Sequence, residues 1–181
     1  MEEKITQNDI KHLENFIDHI ETWIYRHKDT ARKLEIGKKI TGFIGEALTF
    51  RELKRHFRVE SAWKGGTHKG YDIYIGGKKK PIEISVKTTI YAYRPKGRVR
   101  AAEYQWSLSW GDKEQARNPN LFFVLVDLNN LQKKPDFYII PSRIIRRHFR
   151  YGRRKVWSWP RYHPKPKEIQ RYKGKWRQLK H

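Results

Sequence analysis

The stretch "GYDIYIGGKKKPIEISVKTT", residues 70–89, decides the reading of the fold. "YDIYI" and "IEISVKTT" are strand-like runs rich in β-branched and aromatic residues. "GGKKKP" between them carries the glycine and proline of a tight reversal, so the two runs form an antiparallel hairpin. Residues i, i+2 and i+4 of a strand share a face at steps of about 6.8 Å. Glu83, Ser85 and Lys87 therefore line one face of the second strand, and Ile84 and Val86 line the other. Asp72 lies on the first strand, within reach of that polar row in a suitable register.

Upstream of the hairpin the apolar period is helical. Ile10, Leu13, Ile17, Ile20 and Ile24 recur at spacings of three and four, which predicts an amphipathic helix over 8–27. This seam fits the chain's own core or a dimer contact. A second helix is expected over 37–56, with Ile40, Phe43, Ile44, Ala47, Leu48 and Phe50 on one arc and Glu46 on its edge. Beyond Phe57 the period drops to two. "FRVES" (57–61) reads as a short strand, and "WKGGTHKG" (63–70) as a basic, glycine-rich loop. Downstream, "EYQWSLSW" reads as a strand and "GDKEQARN" as a short helix or turn. "LFFVLVDL" reads as a central strand covered on both faces, and "FYIIPS" as a last strand. The expected class is α/β (α+β), a mixed β-sheet flanked by helices with a basic C-terminal extension. Three segments follow: a helical 1–36, a core of 37–142 and a tail of 143–181.

The 181 residues carry a net charge of +22 and no cysteine. A disulfide framework and a thiolate metal site are excluded. Lys and Arg outnumber acids 41 to 19, unlike an ion-paired thermophile surface, in which the signs balance. Such an excess points to a polyanionic partner, nucleic acid before membrane. From Arg143 onward, 15 Lys and Arg face the single acid Glu168. They are interleaved with Phe149, Tyr151, Trp157, Trp159, Tyr162, Tyr172 and Trp176, suited either to stacking on bases or to packing the tail on the body. Pro160, Pro164 and Pro166 argue against a long helix through 158–167. No apolar run approaches the roughly 20 residues of a membrane span, and the start, with Glu2 and Glu3, does not read as a signal peptide. A cytoplasmic location is expected, which is compatible with a nucleoid-associated or phage-encoded protein.

The polar row on the hairpin has two readings. An alternating polar face is common on antiparallel sheets and needs no function. Alternatively, Asp72, the acid Glu83 and the amine of Lys87 converge near Glu46. Clustered carboxylates suit Mg²⁺ (or Mn²⁺), which is held by one or two carboxylates together with phosphate and water. A lysine beside them orients that water or offsets charge on a phosphodiester. The eight histidines show no HxH or HxxxH pairing, which argues against zinc.

These motifs resemble the PD-(D/E)XK, restriction-endonuclease-like nuclease superfamily. "FIGEALTFREL" matches its helix with Glu46, "GYDIYI" its strand with Asp72, and "ISVKTT" its strand with Lys87. The likeness spans about 37–142 and is also similar to archaeal-type Holliday junction resolvases and Mrr-like restriction domains. It implies an αβββαβ core and an active site of Glu46, Asp72, Glu83, Ser85 and Lys87. It further implies metal bound by Glu46, Asp72, Glu83 and the main-chain carbonyl of Val86. Ser85 departs from the pattern, because the superfamily usually has an acid or glutamine two before the lysine. Glu46 is the first candidate to supply the missing carboxylate, and Glu83 the second. Lys64, Thr67, His68, Lys69, Thr88 and the tail's Arg153, Arg154 and Lys155 are expected to contact DNA, with Thr89 placed to bond phosphate or the helix.

The implied function is a Mg²⁺-dependent endonuclease acting on branched or duplex DNA, expected as a homodimer because a duplex has two strands. Junction-resolving and restriction-type specificities both stay open. So does a DNA-binding protein of this fold that has lost catalysis. An RNA-binding protein would account for the tail but not for Asp72 with Lys87.

Overall fold

The computed structural model describes residues 12, 15, 19, 22, 26, 36–57, 61–63, 70–76, 81–96, 102–129, 133–151 and 161–180. Of the helix expected over 8–27, His12, Asn15, His19, Thr22 and Arg26 are described; they are helical and exposed. The apolar seam of that helix lies outside the described residues.

Helix α1 runs Ile36–His56. It is followed by strands β1 (Ser61–Trp63), β2 (Ile73–Ile75) and β3 (Ile82–Thr89). Short strands β4 (Tyr93–Arg94), β5 (Glu103–Tyr104) and β6 (Trp106–Ser107) lead to helix α2 (Trp110–Gln115). Strands β7 (Leu121–Asp127) and β8 (Asp136–Pro141), helix α3 (Ser142–Tyr151), strand β9 (Arg161–Tyr162) and helix α4 (Pro166–Ile169) complete the set, with two short 3-10 turns after α4. The main sheet has the order β1-β2-β3-β7-β8. Among the described strands of this sheet β3 and β7 pair in parallel and the other neighbours antiparallel, so the sheet is mixed, as expected.

The two faces of β7 explain its continuous apolar run. Val124 and Val126 pack with Ile44, Leu48, Leu53, Ile84 and Val86 beneath α1. Phe123 and Leu125 pack on the other side with Trp106, Tyr138, Ile140 and Ile145. A strand with helices on both faces has no solvent side on which to place polar residues.

One element differs from expectation. "EYQWSLSW" is not one strand. Gln105 breaks it, donating its N–H to Ala92 O at 2.9 Å, so β5 pairs with β4 while β6 turns away to pair with β9. The cause is Trp106, which is drawn into the core at 1% exposure, where its indole N–H donates to the Val126 carbonyl at 3.1 Å. A tryptophan buried with its donor satisfied outweighs the continuation of a short edge strand. Of "FRVES", Phe57 and Ser61 are described, and 58–60 lie outside the described residues. Helix α1 persists to His56, Phe57 is buried against its end, and β1 begins at Ser61.

The C-terminal segment is bound to the body. Tyr162 and Ile169 pack into the α2–α3 side of the core, while Trp176 and Leu179 pack into the α1 side. The crossing runs along the outer edge of β8. Tyr138 bridges to Lys173, and Gly174, at φ +62°, donates its N–H to Phe137 O at 2.8 Å. The positive φ suits glycine. The segment thereby covers a sheet edge that would otherwise expose unpaired backbone groups. Trp176 stacks on His56 with ring centroids 5.6 Å apart. Of the tail's rings, Tyr162 and Trp176 thus serve packing, and Phe149 and Tyr172 sit half-buried against the core. Trp157 and Trp159 lie outside the described residues.

Candidate functional site

The site forms where two hydrogen-bonded strands of unequal length part. β2 has three residues and β3 eight, and their ladder pairs Ile73 with Ile84, Tyr74 with Glu83 and Ile75 with Ile82. Past Ile73 the chain peels away, and Asp72 takes the next two positions of the ladder. Its N–H donates to Ile84 O at 2.8 Å, and its Oδ2 accepts the Val86 N–H at 2.6 Å. A carboxylate therefore replaces the backbone carbonyl that a longer β2 would have offered, and it is fixed at the fork.

Burial pushes the Asp72 carboxyl above the usual carboxylate range, and the Asp112 charge pushes it the same way. The Val86 N–H, the Lys87 ammonium and the Ser85 hydroxyl hold it down in part. Ser85, 2% exposed, therefore supports the Asp72 carboxylate with a hydroxyl at the position where the resembled pattern has an acid.

Lys87 emerges beside this cluster. Its Nζ lies 2.8 Å from Asp112 Oδ1, with the lysine side chain 24% exposed and the aspartate 1%. Asp112 is the acid that sequence reasoning missed. It is the third residue of α2 and is locked by a capping box. Ser109 N–H donates to Asp112 Oδ2 at 2.6 Å, and Asp112 N–H donates to Ser109 Oγ at 3.2 Å. The available signal was Ser-x-x-Asp ahead of "KEQ", a capping pattern with Asp in place of the usual Glu or Gln. It announces a helix start but not that the second oxygen meets Lys87.

The two acids offered as replacements at Ser85 are placed differently. Glu83 Oε2 accepts from Asn118 Nδ2 at 2.7 Å, and Glu83 N–H donates to Asn120 O, so this side chain is tied to the turn before β7. Glu46 is half-buried on α1, one residue after the point where helix and strand touch. An added Cβ on Gly45 would lie 1.7 Å from Thr88 Oγ1. Thr88 and Val86 thus face α1, and by strand alternation Ser85 and Lys87 face α2. Glu46 and Lys87 stand on opposite faces of the sheet. Thr88 turns its hydroxyl to α1, where Oγ1 is buried without a hydrogen-bond partner among the described residues. The expected DNA contacts Lys64, Thr67, His68, Lys69, Arg153, Arg154 and Lys155 lie outside the described residues.

Among the described residues no group of three or more His, Asp or Glu is gathered as a metal cage. The donor set is still of the right kind for a hard cation. Asp72 offers carboxylate oxygens whose anionic form burial disfavours, and Mg²⁺ needs only one or two carboxylates with phosphate and water. No described helix is long and apolar enough to cross a membrane.

No protein-family model matches this chain, and no curated protein matches it. Among solved structures it is similar to a bacterial homing endonuclease, I-Ssp6803I, at 17% identity with a TM-score of 0.46. The match covers 78% of this chain and 91% of that one. A likeness of that size carries no conclusion about site or substrate.

Proposed function

We propose that this chain is a divalent-metal-dependent DNA endonuclease, with the fork at Asp72 as its active site. The observation that carries the reading is a half-buried carboxylate held by the Val86 N–H, facing the same cluster as the Lys87 ammonium, in a chain of net charge +22. Burial makes the Asp72 anion costly by itself, and a bound cation offsets that cost. Magnesium or manganese at Asp72 would supply an activated water and neutralise charge on the phosphate. Asp72 holds the cation. Lys87 orients the attacking water and offsets the negative charge that develops on the phosphate. Of the further ligands that the resemblance implies, Glu46 lies on the α1 side and Glu83 accepts from Asn118, and the Val86 carbonyl is the main-chain one.

The finer reading is a structure-selective enzyme working as a homodimer on four-way junctions. Contacts to phosphates position a protein without reading sequence, and no segment reads as a recognition helix for base edges. The branch point offers two symmetric strands and unstacked bases. Tighter binding to a four-way junction than to duplex of the same sequence, at about 150 mM salt where non-specific binding is weakened, with paired nicks near the branch, is the expected result. Discrete cutting of linear duplex at one recurring sequence would replace it with the restriction-type reading. Buried Ser85 at the usual acid position favours a second reading, a DNA-binding protein of this fold without catalysis. Incubating plasmid with protein in Mg²⁺ and in EDTA separates the two: nicking in Mg²⁺ alone supports the enzyme.

A further inference from the structure

We infer that Asp112 is the second carboxylate of the site, delivered by α2 in place of the strand acid that Ser85 lacks. The inference rests on the nuclease reading for its purpose but not for its geometry. Three observations converge on it. Asp112 is fully buried, yet its capping duty occupies only Oδ2. Oδ1 is buried without a hydrogen bond among the described residues, and meets the Lys87 ammonium at 2.8 Å as an ion pair. Asp72 holds the N–H of Val86, the residue before Lys87, and the Lys87 ammonium meets Asp112, so both carboxylates are tied to the same short stretch of β3. Neither Glu46 nor Glu83 is so placed. One stands on the α1 side, and the other accepts from Asn118.

The arrangement divides the work of one strand acid. Ser85 keeps the neighbouring position small and gives Asp72 a hydroxyl. An acid there would set a third negative charge beside Asp72 and Asp112, with Lys87 as the cation that faces them. Asp112 approaches instead from the first turn of α2, where the Ser109 capping box holds it. Because the Ser109 capping box fixes the carboxylate, it also fixes where Lys87 ends. Asp112 is thus a second cation-binding oxygen and a positioning residue for the lysine.

Mn²⁺ titration of the isotope-labelled wild-type protein, followed by NMR, tests this without relying on activity. Amide signals of Asp72, Val86 and Gly111–Lys113 should broaden first. Broadening centred on Gly45–Ala47, or on Glu83 and Asn118, with α2 untouched, overturns the inference, as does no broadening at all. Asp112→Asn keeps an oxygen for the Ser109 N–H and removes the charge. It should weaken Mn²⁺ binding by roughly 10- to 100-fold, the usual effect of losing a group that supports a metal site. Ser85→Asp in the Asp112→Asn background should recover most of that loss. Unchanged Mn²⁺ affinity in Asp112→Asn, or no recovery in the double variant, contradicts the proposal. Should Asp112→Asn not fold, the wild-type titration still decides. Mn²⁺ bound at Asp72 and α2 by a protein that never cuts DNA would sink the nuclease reading and leave this one standing.

Discussion

Replacing Gly45 with alanine tests how closely α1 is seated on β3. An added Cβ falls 1.7 Å from Thr88 Oγ1, 2.7 Å from its Cβ and 2.8 Å from its Cγ2. Real contacts of that kind stay beyond 3.0 Å, so helix and strand must part by about 1.3 Å at this point. Rotating Thr88 does not suffice, because its Cβ is itself too near. β3 is bonded to β2 and β7 and cannot move far, so α1 must lift and take Ile44, Ala47 and Leu48 with it. Overpacking of this kind costs about 1–3 kcal/mol, and three close approaches at once put it near the upper end. Alanine returns about 1 kcal/mol through its better helix propensity. The net loss is about 2 kcal/mol, which for a chain of this size lowers Tm by roughly 4–8 °C. Thr88→Ala removes Oγ1 and Cγ2, leaving only the 2.7 Å approach and a needed shift of about 0.3 Å. Oγ1 makes no hydrogen bond among the described residues, so its removal adds little. Thermal melts of Gly45→Ala, Thr88→Ala and the double variant should show the double variant recovering more than half of the loss. A Gly45→Ala protein that melts at or above wild type, or strictly additive losses, would refute the close seating of helix on strand.

Asp72→Asn should abolish cleavage yet leave the metal-free protein as stable as wild type or more so at neutral pH. The folded-state pKa is raised, chiefly by burial, so the native protein binds more protons than the unfolded chain just above the ordinary carboxylate range. The stability contributed by this group therefore falls as pH rises through that window, and the asparagine variant should lose that slope in melts across pH. Lys87→Met strands the Asp112 charge in the core, and denaturant titration should show a loss of about 3 kcal/mol, largely regained in Lys87→Met with Asp112→Asn. Truncation after Pro160 removes Ile169, Trp176 and Leu179 from the core and should unfold the chain. The exposed Lys165, Lys167, Arg171, Lys175 and Arg177 instead allow the charge to be tested alone. Their replacement by Gln should reduce the slope of log K against log salt by about 0.9 for every phosphate no longer neutralised, and an unchanged slope would assign the segment to packing only.

The hairpin was legible because period and turn agree. "YDIYI", "GGKKKP" and "IEISVKTT" each point to the same local structure, and β2 and β3 pair antiparallel across it. The run "LFFVLVDL" was legible as a central strand for the same reason, since burial on both faces leaves one composition. Asp112 was not. It reaches Lys87 only because the chain between β3 and β7 turns through β4, β5 and β6 before α2 starts, and no periodicity records that return. The break at Gln105 was hidden for a related reason: the partners of β5 and β6 are β4 and β9, one close in sequence and one distant. In the tail, composition could not choose between rings that stack on bases and rings that pack, because both uses call for the same residues. Backbone pairing at Lys173 and Gly174 along β8 settles Trp176 as a packing residue.

The central claim rests on Asp72 and Lys87 acting on a phosphodiester. The most direct measurement is single-turnover cleavage of supercoiled plasmid and of a four-way junction in Mg²⁺, with wild type, Asp72→Ala and Lys87→Ala, beside DNA binding in Ca²⁺. Cutting by wild type that EDTA stops, no cutting by either variant, and binding near wild type in both is the predicted result. Cleavage that persists in a homogeneous Asp72→Ala preparation would contradict the account.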